Sequence, residues 1–385
     1  MTELINIFII VPVYNHGDTL RRIVTEILNH HAHVIVVDDG SNDRGIEKIS
    51  DLPVHVKVHE RNKGKGAALK TGAETALELG GTHMVTIDAD GQHDPGDLPK
   101  FISAVKNSPM AVHVGYRNFE TSNVPGISRF GRSFSNFWLR VQTGRKVLDT
   151  QSGFRAYPLE IFKRLKFTEK RYSFEVEILV RSAWAGLDLC DVPISVYYPP
   201  KEERVSHFRA LVDNARISWL NTRLTLRSMF PWPHQKMIGN ADISIARPLK
   251  SLKILLQQEE TAKGLAGSVF IGVFFGTLPL VGLHTLIILL TAGFLSQNRI
   301  VAVASSQMCM PPFVPAVCIE VGHYMRHGCF LTEISMQTLG YEALERFWEW
   351  IIGSFVVAPV LASIAAAATY CAAWIIRKQL SLTCP

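Results

Sequence analysis

The chain has 385 residues, of which 47% are hydrophobic and only 19% are Asp, Glu, Lys or Arg. Soluble proteins carry roughly 25% charged residues, and the deficit is confined to the C-terminal third, because ten of the 74 charged residues lie at or after position 264. This distribution excludes a purely soluble enzyme, a disordered chain and a repeat array, and it predicts a water-soluble domain followed by a membrane-embedded one. The six cysteines form no CxxC pair, so neither a disulfide framework nor a zinc site is expected from them.

The first 200 residues alternate between strand and helix patterns. Short β-branched runs that end in polar or turn residues predict strands, and amphipathic stretches between them predict helices. The predicted strands cover residues 5–13, 33–38, 54–59, 83–88 and 111–114, and the predicted helices cover 19–29, 67–79 and 97–106. This order predicts a mostly parallel sheet covered by helices, with ligands bound at the C-terminal ends of the strands.

Two aspartate-rich turns follow the second and the fourth predicted strand. Residues 38–41 read DDGS, and residues 88–93 read DADGQH. Asp and Gly are common in turns, so either motif alone says little. Two such motifs at strand ends of one sheet indicate more, because paired carboxylates can hold a hard cation whose remaining ligands come from a diphosphate.

Five motifs occur in the order seen in family 2 glycosyltransferases, and the chain most resembles the dolichyl-phosphate (polyprenyl-phosphate) mannose synthase branch of that family. The motifs are VPVYN at 11–15, DDGS at 38–41, NKGKGAA at 62–68, DADGQ at 88–92 and DTQSGFR at 149–155. The resemblance covers about residues 5–210 and implies an α/β catalytic domain of the GT-A (Rossmann-like) class. The C-terminal part looks like a poorly characterised bacterial membrane domain, and the QxxRW motif of processive members is absent from the sequence.

The resemblance implies a site for a nucleotide diphosphate sugar. Pro12, Tyr14, Asn15 and Asp39 would frame the nucleotide base and ribose. The alternative for Asp39 is a cap on a helix that starts near residue 42. Lys65 lies in a glycine-bracketed loop before a helix, where it would face the diphosphate.

The same resemblance implies a metal site. Asp88, Asp90 and Gln92 would hold Mg²⁺ or Mn²⁺ against the diphosphate, where the ion would stabilise the charge that builds on the leaving nucleoside diphosphate. The oxygen-rich ligand set favours a hard cation over zinc. We expect His93 to be a bystander.

The favoured acceptor is a lipid phosphate, because a phosphate is already an anion and needs positioning among cations rather than a general base. In the resemblance, Arg117, Arg129 and Arg204 correspond to phosphate contacts, and arginine forks match phosphate oxygens. The alternative for each arginine is a surface charge. Asp149 would orient the acceptor or, for a hydroxyl acceptor, act as base. Two further candidate cations are Arg132 and Arg155.

Two glutamates, Glu175 and Glu177, lie two residues apart on a predicted helix. We expect them to form ion pairs with nearby Arg171 or Arg181 rather than to act in catalysis, because opposite charges one turn apart on a helix attract.

A basic strip precedes the apolar C-terminal third. Residues 201–250 carry nine Lys or Arg against four Asp or Glu. Apolar residues in this strip share one helical face, flanked by arginines: Phe208, Val212, Ala215, Trp219, Leu226 and Phe230. We predict a helix that lies in the membrane surface, with a helix packed on the catalytic core as the alternative. No nucleic-acid partner is expected.

Three C-terminal stretches lack Asp, Glu, Lys and Arg, and each is long enough for a spanning helix: residues 264–298, 300–319 and 350–376. A breaker at 276–279 leaves open whether the first stretch is one kinked helix or a hairpin of two short ones. Arg377 and Lys378 favour a cytoplasmic C-terminus. We therefore predict a multi-pass protein of the inner (cytoplasmic) membrane with a cytoplasmic catalytic domain.

The predicted organisation is a GT-A glycosyltransferase domain at 1–206, a basic interfacial helix and linker at 207–250, and an all-α membrane domain at 251–385. The predicted activity is inverting, metal-dependent transfer of one sugar from a nucleotide diphosphate sugar to a membrane lipid, with polyprenyl phosphate as the favoured acceptor. Two alternatives stay open. One is transfer to a lipid hydroxyl such as a glycerolipid, and the other is a non-catalytic membrane scaffold or translocator that binds sugar nucleotide.

Overall fold

The computed structural model of the chain describes residues 5–117, 126–197, 210–229, 235–238, 261–280, 283–309, 313–331 and 343–383. The chain divides into two compact units. The first comprises Met1–Leu226 and His234–Ala241, and the second comprises Arg227–Pro233 and Asp242–Pro385.

A seven-stranded sheet forms the centre of the first unit, in the order β3-β2-β1-β4-β6-β5-β7. The strands are β1 (Ile7–Val13), β2 (Val34–Asp38), β3 (His55–Val58), β4 (His83–Thr86), β5 (Ala111–Arg117), β6 (Arg155–Pro158) and β7 (Asp188–Ile194). Only β6 runs antiparallel to its neighbours, so the sheet confirms the mostly parallel α/β architecture. The first five strands were predicted, whereas β6 and β7 were not.

Helices flank the sheet because residues along each strand alternate between its two faces. The helices of this unit are α1 (Gly17–Leu28), α2 (Lys65–Glu78), α3 (Leu98–Asn107), α4 (Gly126–Thr143), α5 (Glu160–Arg164), α6 (Phe174–Trp184) and most of α7 (Ala210–Met229). In β1, Ile9 and Val11 pack in one apolar cluster with residues of α1 and α3. Phe8 and Ile10 pack in a second cluster with residues of α2 and α6.

Register brings the two aspartate-rich turns to one edge of the sheet. Val13 at the end of β1 is paired with Asp38 at the end of β2, and Ile10 is paired with Thr86 at the end of β4. Since all three strands are parallel, the segments that follow them leave the sheet on the same side.

Helix α7 has one face in the core of the first unit and another that is exposed. Leu220 and Leu224 belong to the same apolar cluster as α2 and α6. On the predicted apolar face, Val212, Trp219 and Leu226 are exposed, and Trp219 retains 70% of its accessible surface. The helix thus packs on the core of the first unit, as in the alternative to a helix in the membrane surface. It also has apolar side chains exposed on its other face. Phe208 and Phe230 lie outside the described residues.

The described part of the second unit is helical, with α8 (Ala262–Thr277), α9 (His284–Phe294), α10 (Arg299–Ser306), α11 (Phe313–His327) and α12 (Ala343–Thr383). Among the described residues one helix segment, Leu344–Ile375, is long and apolar enough to cross a membrane; a second would be counted only if the bent pair Arg299–Cys309 and Phe313–His327 were one span. The stretch 264–298 holds two short helices instead of one long one. Helix length therefore does not support the predicted multi-pass topology.

Candidate active site

A cavity of about 530 Å³ opens at the edge of the sheet where β1, β2 and β4 end. It is lined by six residues that the sequence assigned to donor or metal binding: Pro12, Tyr14, Asp39, Lys65, Asp88 and Asp90. These residues come from four different motifs, and the fold of the sheet brings them together. A volume of this size suits a ligand of nucleotide-sugar dimensions.

Asp39 holds the loop that precedes α2. Its carboxylate is buried and accepts backbone N–H groups of Lys63 (2.8 Å) and Gly64 (2.7 Å) as well as a contact from His59 Nδ1 at 2.7 Å. Gly64 has φ +102°, a conformation that favours glycine, and the chain enters α2 directly after it. The helix-cap alternative for Asp39 finds no support. Its carboxylate accepts from Lys63 and Gly64, and the local N–H of Ser41 donates to the neighbouring Asp38 instead.

Asn15 does not line the cavity but joins two of the loops that form it. Its backbone N–H donates to Ser41 Oγ at 2.9 Å, and its side-chain oxygen accepts the N–H of Asn42 at 2.8 Å. Its φ of +52° is tolerated by asparagine better than by most side chains. A direct nucleotide contact of Asn15 stays a prediction.

Lys65 lies between two carboxylates. Its Nζ is 2.7 Å from Asp88 Oδ1 and 2.8 Å from Asp88 Oδ2, and it is also 2.7 Å from Glu175 Oε1. Glu175 was expected to pair with Arg171 or Arg181, and this expectation is wrong. Residues two apart on a helix point about 200° away from each other, so Glu175 faces the cavity side while Glu177 faces away.

The expectation for Glu177 is confirmed. Its fully buried carboxylate lies 2.8 Å from Arg181 Nε and also accepts the backbone N–H groups of Thr168 and Glu169. Burial alone would raise the pKa of Glu177, but these donors and the Arg181 charge outweigh it and lower the pKa. Glu177 is therefore a charged anchor of the fold.

Electrostatics distinguish the two aspartates of the DADGQ motif. Burial raises the pKa of Asp90 to about 6, and the charge of Asp88 adds to this. Burial also acts to raise the pKa of Asp88, but the Lys65 charge outweighs it and the pKa is lowered. Burial in turn acts to lower the pKa of Lys65, yet Asp88 and Glu175 raise it overall. The Asp88 and Asp90 carboxylates offer oxygen ligands of the kind that suits a hard divalent cation. The Lys65 ammonium, held by Asp88 and Glu175, supplies a fixed positive charge beside them.

Gln92 and His93, which end the second aspartate motif, do not line the cavity. The Gln92 backbone N–H donates to Asp90 Oδ1 at 3.0 Å, and its carbonyl accepts the N–H of Tyr197. Gln92 is not among the residues that line the cavity, so metal ligation by its side chain stays a prediction. His93 is buried beside the Phe154 ring, and burial lowers its pKa to about 4. The expectation that His93 is a bystander stays a prediction.

Two of the residues predicted to act on the acceptor, Arg117 and Asp149, form a two-point ion pair. Arg117 Nε and Nη2 donate to the Asp149 carboxylate at 2.6 and 2.9 Å. Asp149 is fully buried and also accepts the backbone N–H of Gln151. Its carboxylate is thus occupied in fixing the guanidinium. Arg132 Nη1 contacts the Arg117 carbonyl at 3.3 Å, which places a second arginine nearby.

Arg155 was a candidate phosphate contact, and this prediction is wrong. The side chain is buried, and its donors are taken by carbonyl oxygens of Thr150, Ser152 and Glu175. It ties the DTQSGFR loop to the start of α6. Arg129 belongs to α4, but its side chain lies outside the described residues, as does the whole of Arg204.

Sequence reasoning missed several cavity residues. Arg171 and Tyr172 line the cavity, and Glu175 supplies the second carboxylate at Lys65. All three belong to one segment just before and within the first turn of α6. The only sequence signal was a charged and aromatic cluster beside a helix start, which is common in structural roles. Gly153 was also missed: a Cβ there would lie 2.2 Å from Asp88 Oδ2.

Two protein families match this chain, one in its N-terminal part and the other in its C-terminal part. Residues 8–166 match the family model described as Glycosyl transferase family 2, and residues 247–381 match one described as Uncharacterized protein conserved in bacteria (DUF2062). The two matches correspond to the α/β part and to the helical part of the chain.

Relatives with named activities match the N-terminal half. UDP-N-acetylglucosamine–dolichyl-phosphate N-acetylglucosaminyltransferase of Methanococcus voltae is 33% identical over 215 residues, which are 50% of this chain and 86% of that protein. Polyprenol monophosphomannose synthase of Mycolicibacterium smegmatis is 30% identical over 207 residues, which are 49% of this chain and 76% of that protein.

Solved structures are similar at lower identity, and one example comes from Mycobacterium tuberculosis. The structure of glucosyl-3-phosphoglycerate synthase from Mycobacterium tuberculosis with Mn²⁺, UDP-glucose and phosphoglyceric acid is 18% identical. The alignment has a TM-score of 0.44 and covers 58% of this chain and 79% of that one.

Proposed function

Because the chain belongs to glycosyl transferase family 2 and is a glycosyltransferase, we propose that it transfers a single sugar from a nucleotide diphosphate sugar to polyprenyl phosphate. Two relatives that match most of their own length carry names that specify a dolichyl phosphate acceptor and a polyprenol monophosphomannose product. The proposed reaction is inverting and metal-dependent, and it takes place at the cytoplasmic face of the inner membrane.

The observation that carries this proposal is the convergence of Asp39, Lys65, Asp88 and Asp90 on one cavity. The Asp88 and Asp90 carboxylates would hold Mg²⁺ or Mn²⁺, which supplies charge stabilisation to the leaving nucleoside diphosphate. The fit of such an ion rests on the chemistry of these two side chains, since both line the cavity and both offer the carboxylate oxygens that Mg²⁺ and Mn²⁺ accept. A dication in this position would offset the repulsion between two neighbouring negative charges.

Lys65 would be the second cation of the donor site. It holds two carboxylates at once, and a diphosphate in the cavity offers its Nζ a third anionic partner. Glu175 keeps the ammonium in place when Asp88 turns to another ligand. The donor sugar would then lie between the Lys65 and Asp88 side chains and the guanidinium of Arg117.

Occupation of Asp149 favours a phosphate acceptor over a hydroxyl. A hydroxyl acceptor needs a base with a free oxygen within hydrogen-bond reach, whereas both Asp149 oxygens already accept from Arg117. An acceptor phosphate needs only a fixed guanidinium, and Asp149 fixes the guanidinium of Arg117. Arg204 is proposed as a further phosphate contact.

Membrane association of the site is proposed from two features. Trp219 is 70% exposed on α7, and tryptophan is favoured at the boundary between headgroups and acyl chains. The segment Leu344–Ile375 has the length and composition of a membrane span. Both would keep the catalytic unit close to a lipid phosphate.

The test incubates membranes that contain the full chain with radiolabelled UDP-N-acetylglucosamine, GDP-mannose or UDP-glucose, followed by mild acid hydrolysis of the lipid fraction. We expect one donor to label lipid and the product to be acid-labile, as a phosphodiester-linked sugar is. An acid-stable product would assign the acceptor to a lipid hydroxyl. Binding of nucleotide without any transfer, in the presence of lipid and Mn²⁺, would favour the non-catalytic alternative.

A variant separates the two substrates. Arg204→Ala is expected to raise the apparent KM for lipid phosphate more than the KM for sugar nucleotide, since Arg204 is proposed to contact only the acceptor. Lys57→Ala, on the exposed edge strand β3, serves as the charge-matched control. A larger effect of Arg204→Ala on the sugar nucleotide would move this residue to the donor side.

A further inference from the structure

The second unit contains a cluster of polar side chains where two of its helices meet. His323 and His327 lie four residues apart in the last turns of α11, on one face of the helix. Glu349 lies in the second turn of α12 and is fully buried. One ligand atom from each of the three residues lies within 4.8 Å of the other two.

Two glycines allow the helices to approach closely enough for this arrangement. A Cβ at Gly322 would lie 1.9 Å from the carbonyl oxygen of Glu349, and a Cβ at Gly353 would lie 1.8 Å from that of Cys318. No larger side chain fits at either position, so the backbones of α11 and α12 are in direct contact. The short distance places the Glu349 carboxylate against the imidazoles.

We propose that His323, His327 and Glu349 form a binding site for a divalent transition-metal ion such as Zn²⁺. Two imidazoles and a carboxylate are the ligands that zinc accepts, and with metal–ligand distances near 2.1 Å the ligand atoms of a tetrahedral site lie about 3.4 Å apart. The Glu349 Oε1 atom is 2.9 Å from His323 Nδ1 and 3.5 Å from His327 Nε2. Small side-chain movements would give the required distances.

The contacts around His323 show how an ion would fit beside Arg346. Arg346 Nη1 lies 3.0 Å from His323 Nδ1 and also donates to Glu349 Oε2, and a guanidinium has donors only. The Arg346 guanidinium is therefore a cation that His323 and Glu349 already share. An ion between His323 Nδ1 and Glu349 Oε1, which lie 2.9 Å apart, would replace Arg346 at the imidazole while Arg346 keeps its hydrogen bond to Oε2.

Arg346 and Arg326 have opposite effects on such an ion. Arg346 donates to Glu349 Oε2 and leaves Oε1 for the metal, as outer hydrogen bonds to ligating carboxylates commonly do. Arg326 Nη1 lies 3.7 Å from Oε1, and its partly exposed side chain brings a positive charge toward the ion. The site is thus an imidazole–carboxylate triad with one supporting arginine and one opposing arginine.

This site is distinct from the oxygen-rich cluster at Asp88 and contains no cysteine, so cysteine spacing could not reveal it. Its chemistry selects a different ion, since imidazole suits zinc and related metals while carboxylates and carbonyls suit Mg²⁺ and Mn²⁺. An ion held by both α11 and α12 would stabilise the pair of helices by mass action.

The test measures Zn²⁺ binding to the full chain in detergent after treatment with chelator. The buffer contains excess Mg²⁺, which occupies oxygen-rich sites so that they do not add to the measured Zn²⁺ binding. We expect one Zn²⁺ per chain, and a loss of affinity of about 100-fold or more in His327→Gln, because even outer-shell changes cost 10–100-fold. His284→Gln in α9 is the matched control and is expected to bind like the unaltered chain. Equal binding by His327→Gln, or no binding above the detergent blank, overturns the proposal.

Two further measurements separate a metal site from a simple network of ion pairs. Arg326→Gln is expected to tighten Zn²⁺ binding, whereas Arg346→Gln is expected to weaken it; a shift of the same sign in both contradicts the proposed roles. Carbethoxylation of the unaltered chain, read by mass spectrometry, needs no variant. Zn²⁺ should protect His327, whose side chain is 44% exposed, and should leave His284 reactive; unprotected His327 overturns the site.

Discussion

Gly153→Ala tests how tightly the proposed donor site is packed. A Cβ at this position would lie 2.2 Å from Asp88 Oδ2 and 2.7 Å from Lys65 Nζ, whereas ordinary contact begins at 3.4 Å. Since Gly153 does not have a positive φ, the backbone can accept alanine and the effect comes from the added methyl group. To reach ordinary contact, the Asp88 carboxylate must retreat by about 1.2 Å.

A displacement of this size has a calculable consequence. Misplacing a catalytic group by 1 Å costs on the order of 100-fold in rate, which corresponds to about 2.7 kcal/mol. The packing strain should add a loss of stability of about 1–3 kcal/mol. We therefore expect Gly153→Ala to lower kcat/KM for sugar transfer by about 100-fold and to weaken Mn²⁺ binding, while the protein stays folded.

The assay combines sugar transfer to lipid phosphate, Mn²⁺ titration by calorimetry and thermal unfolding. Gly131→Ala is the matched control, because its Cβ would meet only the amide end of the Gln151 side chain, at 3.3 Å. This control should keep transfer and Mn²⁺ affinity. If Gly153→Ala retains both properties at the level of Gly131→Ala, the pair of Asp88 and Lys65 does not set the geometry of the site, and the reasoning fails.

Three other substitutions probe the same unit. Asp90→Asn should abolish transfer and weaken Mn²⁺ binding without altering membrane insertion, since it removes one of two proposed ligands. Arg155→Met should lower the free energy of unfolding by about 2–4 kcal/mol, because buried carbonyls lose their donor. Glu177→Gln should cost about 1–3 kcal/mol at neutral pH. The pKa of Glu177 is lowered in the folded state, so its contribution is full above about pH 4.5 and is lost as pH falls further.

Each of these substitutions has an outcome that would contradict it, and the first two also have a matched control variant. Asp94→Asn is the control for Asp90→Asn, because it changes a carboxylate outside the cavity lining. If Asp90→Asn transfers sugar as fast as Asp94→Asn, the metal assignment is wrong. Denaturant unfolding of Arg164→Met, an exposed arginine on α5, calibrates Arg155→Met; equal stability would mean that Arg155 is dispensable. An unfolding free energy of Glu177→Gln that parallels the unaltered chain from pH 7 to pH 3 would contradict the linkage.

The order of elements and the position of the candidate donor site followed from the sequence itself. Strand and helix patterns are local, and parallel strands end at one edge of a sheet, so the motifs after β1, β2 and β4 had to meet. The Asp88, Asp90 and Lys65 cluster was predictable for that reason. Strands β6 and β7 were missed because neither was marked by a β-branched run.

Only the tertiary structure decided what each charged side chain contacts. Glu175 and Glu177 have the same local sequence signal, but helix geometry turns one toward Lys65 and the other toward Arg181. Arg155 resembles a surface cation in sequence and is buried in the fold. His327 and Glu349 belong to separate helices whose contact depends on two glycines. Local patterns encode which residues share an element, whereas distances between elements depend on packing, which no short stretch of sequence contains.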